Sequence, residues 1–101
     1  MHERSLIRLS ADDNIAVATR TIEPGENLLL DGQAITAADR IPTGHKMAVA
    51  RIEPGQKVMK YGAPIGSATR PITPGQYVHI HNVRSDYLPT YERDEKLGAG
   101  G

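Results

Sequence analysis

A chain of 101 residues with twelve basic and twelve acidic side chains carries no formal net charge, and it contains no Cys, Phe or Trp. Zero charge argues against electrostatic capture of nucleic acid or an anionic membrane, the missing cysteines exclude disulfides and thiolate metal sites, and no apolar run is long enough to span a bilayer. One domain of this size buries only about 60–65% of its unfolded surface, so a modest core of Ile, Val, Leu, Ala and three Met is expected, with strands in close approach.

From the N-terminus, Met1-His2-Glu3-Arg4-Ser5-Leu6-Ile7-Arg8-Leu9 is interrupted by charges, so no secretory signal is expected and a cytoplasmic location is the default. His2 is assigned no role. Ile15 and Val17 alternate with Ala16 and Ala18, Met47 and Val49 with Ala48 and Ala50, and Val78 and Ile80 with Tyr77, His79 and His81. This period of two predicts strands, with Val78 and Ile80 directed into the core.

One phrase recurs between these stretches: Ile22-Glu23-Pro24-Gly25-Glu26, Ile52-Glu53-Pro54-Gly55-Gln56 and Ile72-Thr73-Pro74-Gly75-Gln76. Pro supplies the negative φ of a type II turn and Gly the positive φ that follows it. One turn design therefore serves three corners. Asp31-Gly32 signals a hairpin. Ala34 to Arg40 has room for one short helical turn, stopped at Ile41-Pro42 because a residue before Pro is pushed out of the α region. Gly62, Pro64 and Gly66 predict a tight connection after Tyr61. The fold class that results is all-β, a small compact barrel-like or sandwich-like domain of short strands. Patterning fades after Asn82, which divides the chain into a domain over 1–82 and a partly flexible tail over 83–101. Tyr87, Leu88 and Tyr91 place bulky groups on that tail, either to dock on another subunit or to fold back.

Three clusters could carry chemistry. His79 and His81 stand two apart on an expected strand and so share a face; two imidazoles there suit a divalent metal, with Asn82 beside them, but two do not complete a site, and by spacing alone a solvated pair is the more ordinary reading. Gly44-His45-Lys46 puts an imidazole and an ammonium at a strand entrance, where His45 can ligate metal or move a proton and Lys46 can hold a carboxylate. Lys60-Tyr61-Gly62 places an amine and a phenol beside a Gly turn, although Tyr61 can simply cap the core while Lys60 reaches water. Each cluster lies near the end of a short strand, and a repeated fold can gather strand ends.

Taken together, Asp13-Asn14-Ile15-Ala16-Val17-Ala18, Ile41-Pro42-X-Gly44-His45-Lys46, Lys60-Tyr61-Gly62-X-Pro64-Ile65-Gly66-X-Ala68-Thr69 and Gly75-Gln76-X-Val78-His79-X-His81-Asn82 closely resemble the N-terminal domain of the altronate and galactarate dehydratase family. The resemblance covers residues 13–82 and implies a SAF domain of β-clip fold. In single-chain members a larger catalytic region follows the histidine motif, so this chain resembles a separate small subunit, like the alpha subunit of the related sulfolactate sulfo-lyase, and would be inactive without a large catalytic subunit.

The chemistry implied is β-elimination of water from an altronate- or galactarate-type acid to give a 2-keto-3-deoxy acid, with a divalent metal, iron(II) or alternatively manganese. By motif, His45, His79 and His81 would be metal ligands, with His45 also an acid or base. Lys46, Lys60 and Tyr61 would complete the catalytic set, and Asn14 and Asn82 would bind the hydroxy-acid substrate. Sulfite elimination from sulfolactate and a non-catalytic SAF binding module are the alternatives. A symmetric homo-oligomer is compatible with so small a core.

Overall fold

Each Pro-Gly pair closes its corner with the bond that a type II turn requires. In the computed structural model, which describes residues 4–86, Glu26 N donates to Glu23 O at 3.2 Å, Gln56 N to Glu53 O at 2.9 Å and Gln76 N to Thr73 O at 3.1 Å. Gly25, Gly55 and Gly75 take φ values of 88°, 83° and 96°. The residue after each Gly adds a clasp, since the side-chain oxygens of Glu26, Gln56 and Gln76 accept the backbone N–H of Glu23, Glu53 and Thr73. A fourth corner has the same form without the Pro-Gly pair: at Pro42-Thr43-Gly44-His45, His45 N donates to Pro42 O at 3.0 Å and Gly44 has a φ of 82°.

The corners connect short strands β1 (Leu6–Ile7), β2 (Ile15–Ala18), β3 (Asn27–Leu30), β4 (Gln33–Thr36), β5 (Lys46–Ala48), β6 (Lys57–Lys60), β7 (Ala63–Ala68), β8 (Tyr77–Val78) and β9 (Val83–Arg84). All pair antiparallel, in sheets ordered β1-β2-β5-β8, β3-β4 and β6-β7-β9. The described residues contain no helix, so none is available to cross a membrane. The protein is all-β.

Its two halves repeat one another. Gly25 N donates to Ala37 O while Ala37 N donates to Glu26 O, and the same exchange joins Gly44 and His45 to Ala18, Gly55 and Gln56 to Ala68, and Gly75 and Gln76 to Ala48. Ile22 bridges Ile41 as Ile52 bridges Ile72. A shift of 30 positions carries Ala18, Ile22 and Gly25 onto Ala48, Ile52 and Gly55; past the hairpins the shift is 31, carrying Ala37, Ile41 and Gly44 onto Ala68, Ile72 and Gly75. The additional residue lies in β7, where pairing steps from Val58↔Gly66 to Met59↔Pro64 and leaves Ile65 without a register partner. Such a bulge is also where a strand tolerates proline.

The four-stranded sheet feeds two cores. Ala16, Ala18 and Met47 pack with Ile22, Leu28 and Ile41, whereas Ile15 and Ala48 pack with Ile52, Val58, Ile72 and Val78. Both faces of β2 and β5 are therefore buried, which is why small alanines fill them. Each fully buried Ile contributes about 1.5–3 kcal/mol, and the four bridging isoleucines are all 0% exposed.

Several local expectations change. Gln33–Thr36 is strand, not a helical turn: Asp31 and Gly32 take φ values of 50° and 81°, close a hairpin, and set Ile35 opposite Leu28, where it is buried. Pro64 and Gly66 lie within β7 rather than in a connection. Gly66 is required there because a Cβ would come 2.4 Å from Arg84 O of β9. The folded unit continues beyond Asn82, since β9 pairs with β7 and Asp86 bonds to Lys57 and Ser67. Val78 is buried, but Ile80 is 84% exposed because β8 ends at Val78. His2, Tyr87, Leu88 and Tyr91 lie outside the described residues.

Candidate functional site

The register of β5 against β8 assembles the site. Lys46 pairs with Val78 and Met47 with Tyr77; in an antiparallel pair the residue before Lys46 then lies beside the residue after Val78. Those residues are His45 and His79, with ring centroids 5.5 Å apart. His45 Nδ1 lies 2.5 Å from the Tyr77 hydroxyl. Tyr77 stacks on His79 with centroids 5.3 Å apart and planes 8° from parallel, and touches His81 at 5.8 Å.

Two polar side chains hold this arrangement. Asp39 Oδ2 accepts Tyr77 N at 2.9 Å and ties β8 to the segment after β4. Asn82, 3% exposed, accepts His79 N on Oδ1 at 2.9 Å and donates Nδ2 to Tyr77 O at 2.8 Å. An Asn side chain that satisfies nearby backbone groups competes with the strand ladder. The chain turns at residues 79–82 accordingly, and His79 and His81 sit on a turn instead of a continuing strand.

The lysines lie on the adjoining side. Half-buried Lys46 lines a cleft of about 220 Å³ with Ile65, Val78, His79, Ile80 and Val83. Burial pushes its ammonium below the ordinary lysine range, and the positive charge of Lys60 pushes it further. Lys60 Nζ stands 4.9 Å from the centre of the Tyr61 ring. Among the described residues neither lysine forms an ion pair. Tyr61 has a φ of 55°, a position that favours Asn, Asp or Gly in such a hairpin turn. It is held there by buried Asp13, whose carboxylate accepts Tyr61 N at 2.9 Å, Gly62 N at 2.7 Å and Ser10 N at 3.3 Å. Burial alone would raise the Asp13 pKa, but these backbone donors and Leu9 outweigh it and hold the carboxyl below its ordinary value.

His45, His79 and Lys46 are thus gathered at one rim and His81 borders it, whereas Lys60 bears on Lys46 through its charge and Tyr61 contacts Lys60. Asn14, just before β2, faces β6: its Nδ2 donates to Lys57 O and its Oδ1 accepts Met59 N. Both asparagines expected to bind substrate are instead buried and bonded to backbone. The expected ligand trio also changes. Among the described residues no three His, Asp or Glu side chains converge on a metal position, and Nδ1 of His45 already has the Tyr77 phenol as partner. Among the described residues the three histidines thus do not by themselves converge as a ligand set.

Sequence reasoning missed Tyr77, the ring that touches all three histidines. Its signal was its place in the alternating set 77, 79, 81. Asp39 carried no comparable signal, because its partner, Tyr77 N, is distant in sequence; Asp13 stood at the head of a motif, but its partners Tyr61 N and Gly62 N are distant too.

Comparison with known proteins follows the same residues. Positions 4–86 match the family model described as the altronate/galactarate dehydratase SAF domain. The chain is 37% identical over 83 residues to altronate dehydratase of Bacillus subtilis (strain 168), covering 82% of this chain and 17% of that protein. It is 40% identical over 80 residues to altronate dehydratase of Escherichia coli (strain K12), covering 79% and 16%. Over 47 residues it is 40% identical to (2R)-sulfolactate sulfo-lyase subunit alpha of Chromohalobacter salexigens, covering 46% of this chain and 50% of that subunit. The matched region is therefore a small part of each dehydratase and half of the sulfo-lyase subunit.

Proposed function

The chain belongs to the altronate/galactarate dehydratase SAF domain family, and on that footing we propose that it is the small subunit of a two-component hydro-lyase that dehydrates a sugar acid of altronate or galactarate type to a 2-keto-3-deoxy acid. The observation that carries this reading is the meeting of His45, Tyr77 and His79 beside the cleft lined by Lys46.

Dehydration breaks the C2–H and C3–O bonds of the hydroxy acid. A base takes the C2 proton, the C3 hydroxyl leaves as water with a proton from a general acid, and the resulting enol becomes the ketone. Imidazoles titrate in the range suited to both transfers, and His45 and His79 are the groups proposed for them. Negative charge grows on the substrate carboxylate side as the C2 proton departs, where the ammonium groups of Lys46 and Lys60 stabilise it. Tyr61 orients Lys60 through its ring, while Asn14 and Asn82 hold strand and turn in place.

A large dehydratase subunit in the cytoplasm would close the cleft and supply the remaining groups. A divalent metal, iron(II) or manganese, would be the cofactor of the complex and would supply Lewis-acid stabilisation of the substrate carboxylate, with imidazoles of this chain as ligands beside those of the large subunit. Similarity to a sulfo-lyase subunit alpha supports a second reading, in which sulfite leaves from C3 of sulfolactate in place of water. Co-expression with a large dehydratase-type subunit, followed by incubation with altronate, galactarate and sulfolactate, separates the two. Keto-acid product from a sugar acid by the pair and none by this chain alone is expected; sulfite release without sugar-acid turnover would favour the second reading.

A further inference from the structure

Tyr77 holds His45 from the side opposite Nε2. Its hydroxyl lies 2.5 Å from Nδ1, and among the described residues that nitrogen is its only hydrogen-bond partner. A neutral imidazole has one N–H donor and one lone-pair acceptor; a phenol O–H is a stronger hydrogen-bond donor than a neutral imidazole N–H, and the imidazole lone pair is a far stronger acceptor than an un-ionised phenol oxygen. The phenol therefore gives its proton to the bond and Nδ1 accepts it. The rest of His45 is fixed as well: its backbone N donates to Pro42 O, its O accepts Ala18 N, and its ring touches both Tyr77 and His79.

From this geometry we infer that Tyr77 is a positioning residue that locks neutral His45 as the Nε2–H tautomer, so that His45 presents a hydrogen donor to the departing oxygen and takes the phenol proton on Nδ1 as it gives up the one on Nε2. The departing oxygen comes from the proposed dehydratase reading, on which this part rests; the tautomer does not depend on it.

The full chain, labelled with ¹⁵N at histidine, tests the tautomer at about pH 8, above the ordinary imidazole range. Long-range ¹H–¹⁵N spectra are expected to show His45 with Nδ1 unprotonated and Nε2 protonated in a single form, and Tyr77→Phe, which keeps the ring stack, to populate both tautomers. A wild-type His45 protonated on Nδ1 would overturn the inference. In the reconstituted pair, Tyr77→Phe is expected to lower kcat about tenfold with KM nearly unchanged, and an unchanged kcat would remove His45 as donor. A pair that turns over no substrate would defeat the proposed function, while the spectra alone would still decide the tautomer.

Discussion

The ring of His79 lies parallel to that of Tyr77, 5.3 Å away, though a buried valine stands between them in the chain. Residues two apart on a strand share a face. The turn that begins at His79 then allows its ring to settle on the phenol, and Tyr77 itself packs against the first core. The position of the imidazole thus follows from the core through one aromatic ring.

If the chain is the dehydratase subunit proposed and His79 its acid or base, His79→Ala should lower turnover of the reconstituted pair by about 10²–10⁴-fold. His81→Ala, which removes an exposed ring that touches only Tyr77 among the described rings, should change it less than about threefold. Steady-state kinetics of both variants measures the difference, and equal losses would refute the division of roles.

Asn82→Ala should destabilise the protein by about 1–3 kcal/mol, because it leaves His79 N and Tyr77 O without partners. Asn82→Asp keeps the acceptor but faces Tyr77 O with a second acceptor, so it should also lose stability. Urea unfolding measures both. Wild-type stability together with a raised KM would return Asn82 to a substrate-binding role.

Gly75→Ala should be the most costly of the Pro-Gly substitutions. A Cβ at Gly75 would lie 2.1 Å from Thr36 O and 3.2 Å from Ala38 N, whereas Gly25 and Gly55 face open space. Positive φ alone costs about 1–2 kcal/mol at each position, and overpacking adds about 1–3 kcal/mol at Gly75. Three urea midpoints compared side by side test this ordering.

Asp13 makes stability depend on pH in a defined direction. Its folded pKa lies below its unfolded value, so the unfolded state binds more protons across that interval and stability falls as pH falls. The contribution is fully present above the ordinary carboxylate value of about 3.9 and is lost as pH drops from there through the lower folded value. Asp13→Ala should be less stable at pH 7, by about 1–3 kcal/mol, and should lose less on acidification over this window. Denaturation curves at pH 7, 4 and 3 provide the check.

Local sterics made the corners legible in the sequence. Pro and Gly fix opposite signs of φ wherever they occur together, and alternating apolar residues reveal strands before their partners are known. The motifs around His45, Lys60 and His79 were visible for the same reason: each is a short contiguous run. Tertiary structure decided what those runs could not contain. Whether Gln33–Thr36 became strand depended on Leu28 and its neighbours, and whether Asn14 and Asn82 met substrate or backbone depended on carbonyl and N–H groups brought to them by folding. Above all, the register of β5 against β8 placed His45 beside His79 and under the Tyr77 phenol. Register is set by which side chains two distant strands can bury together, a property of the pair that neither segment carries alone.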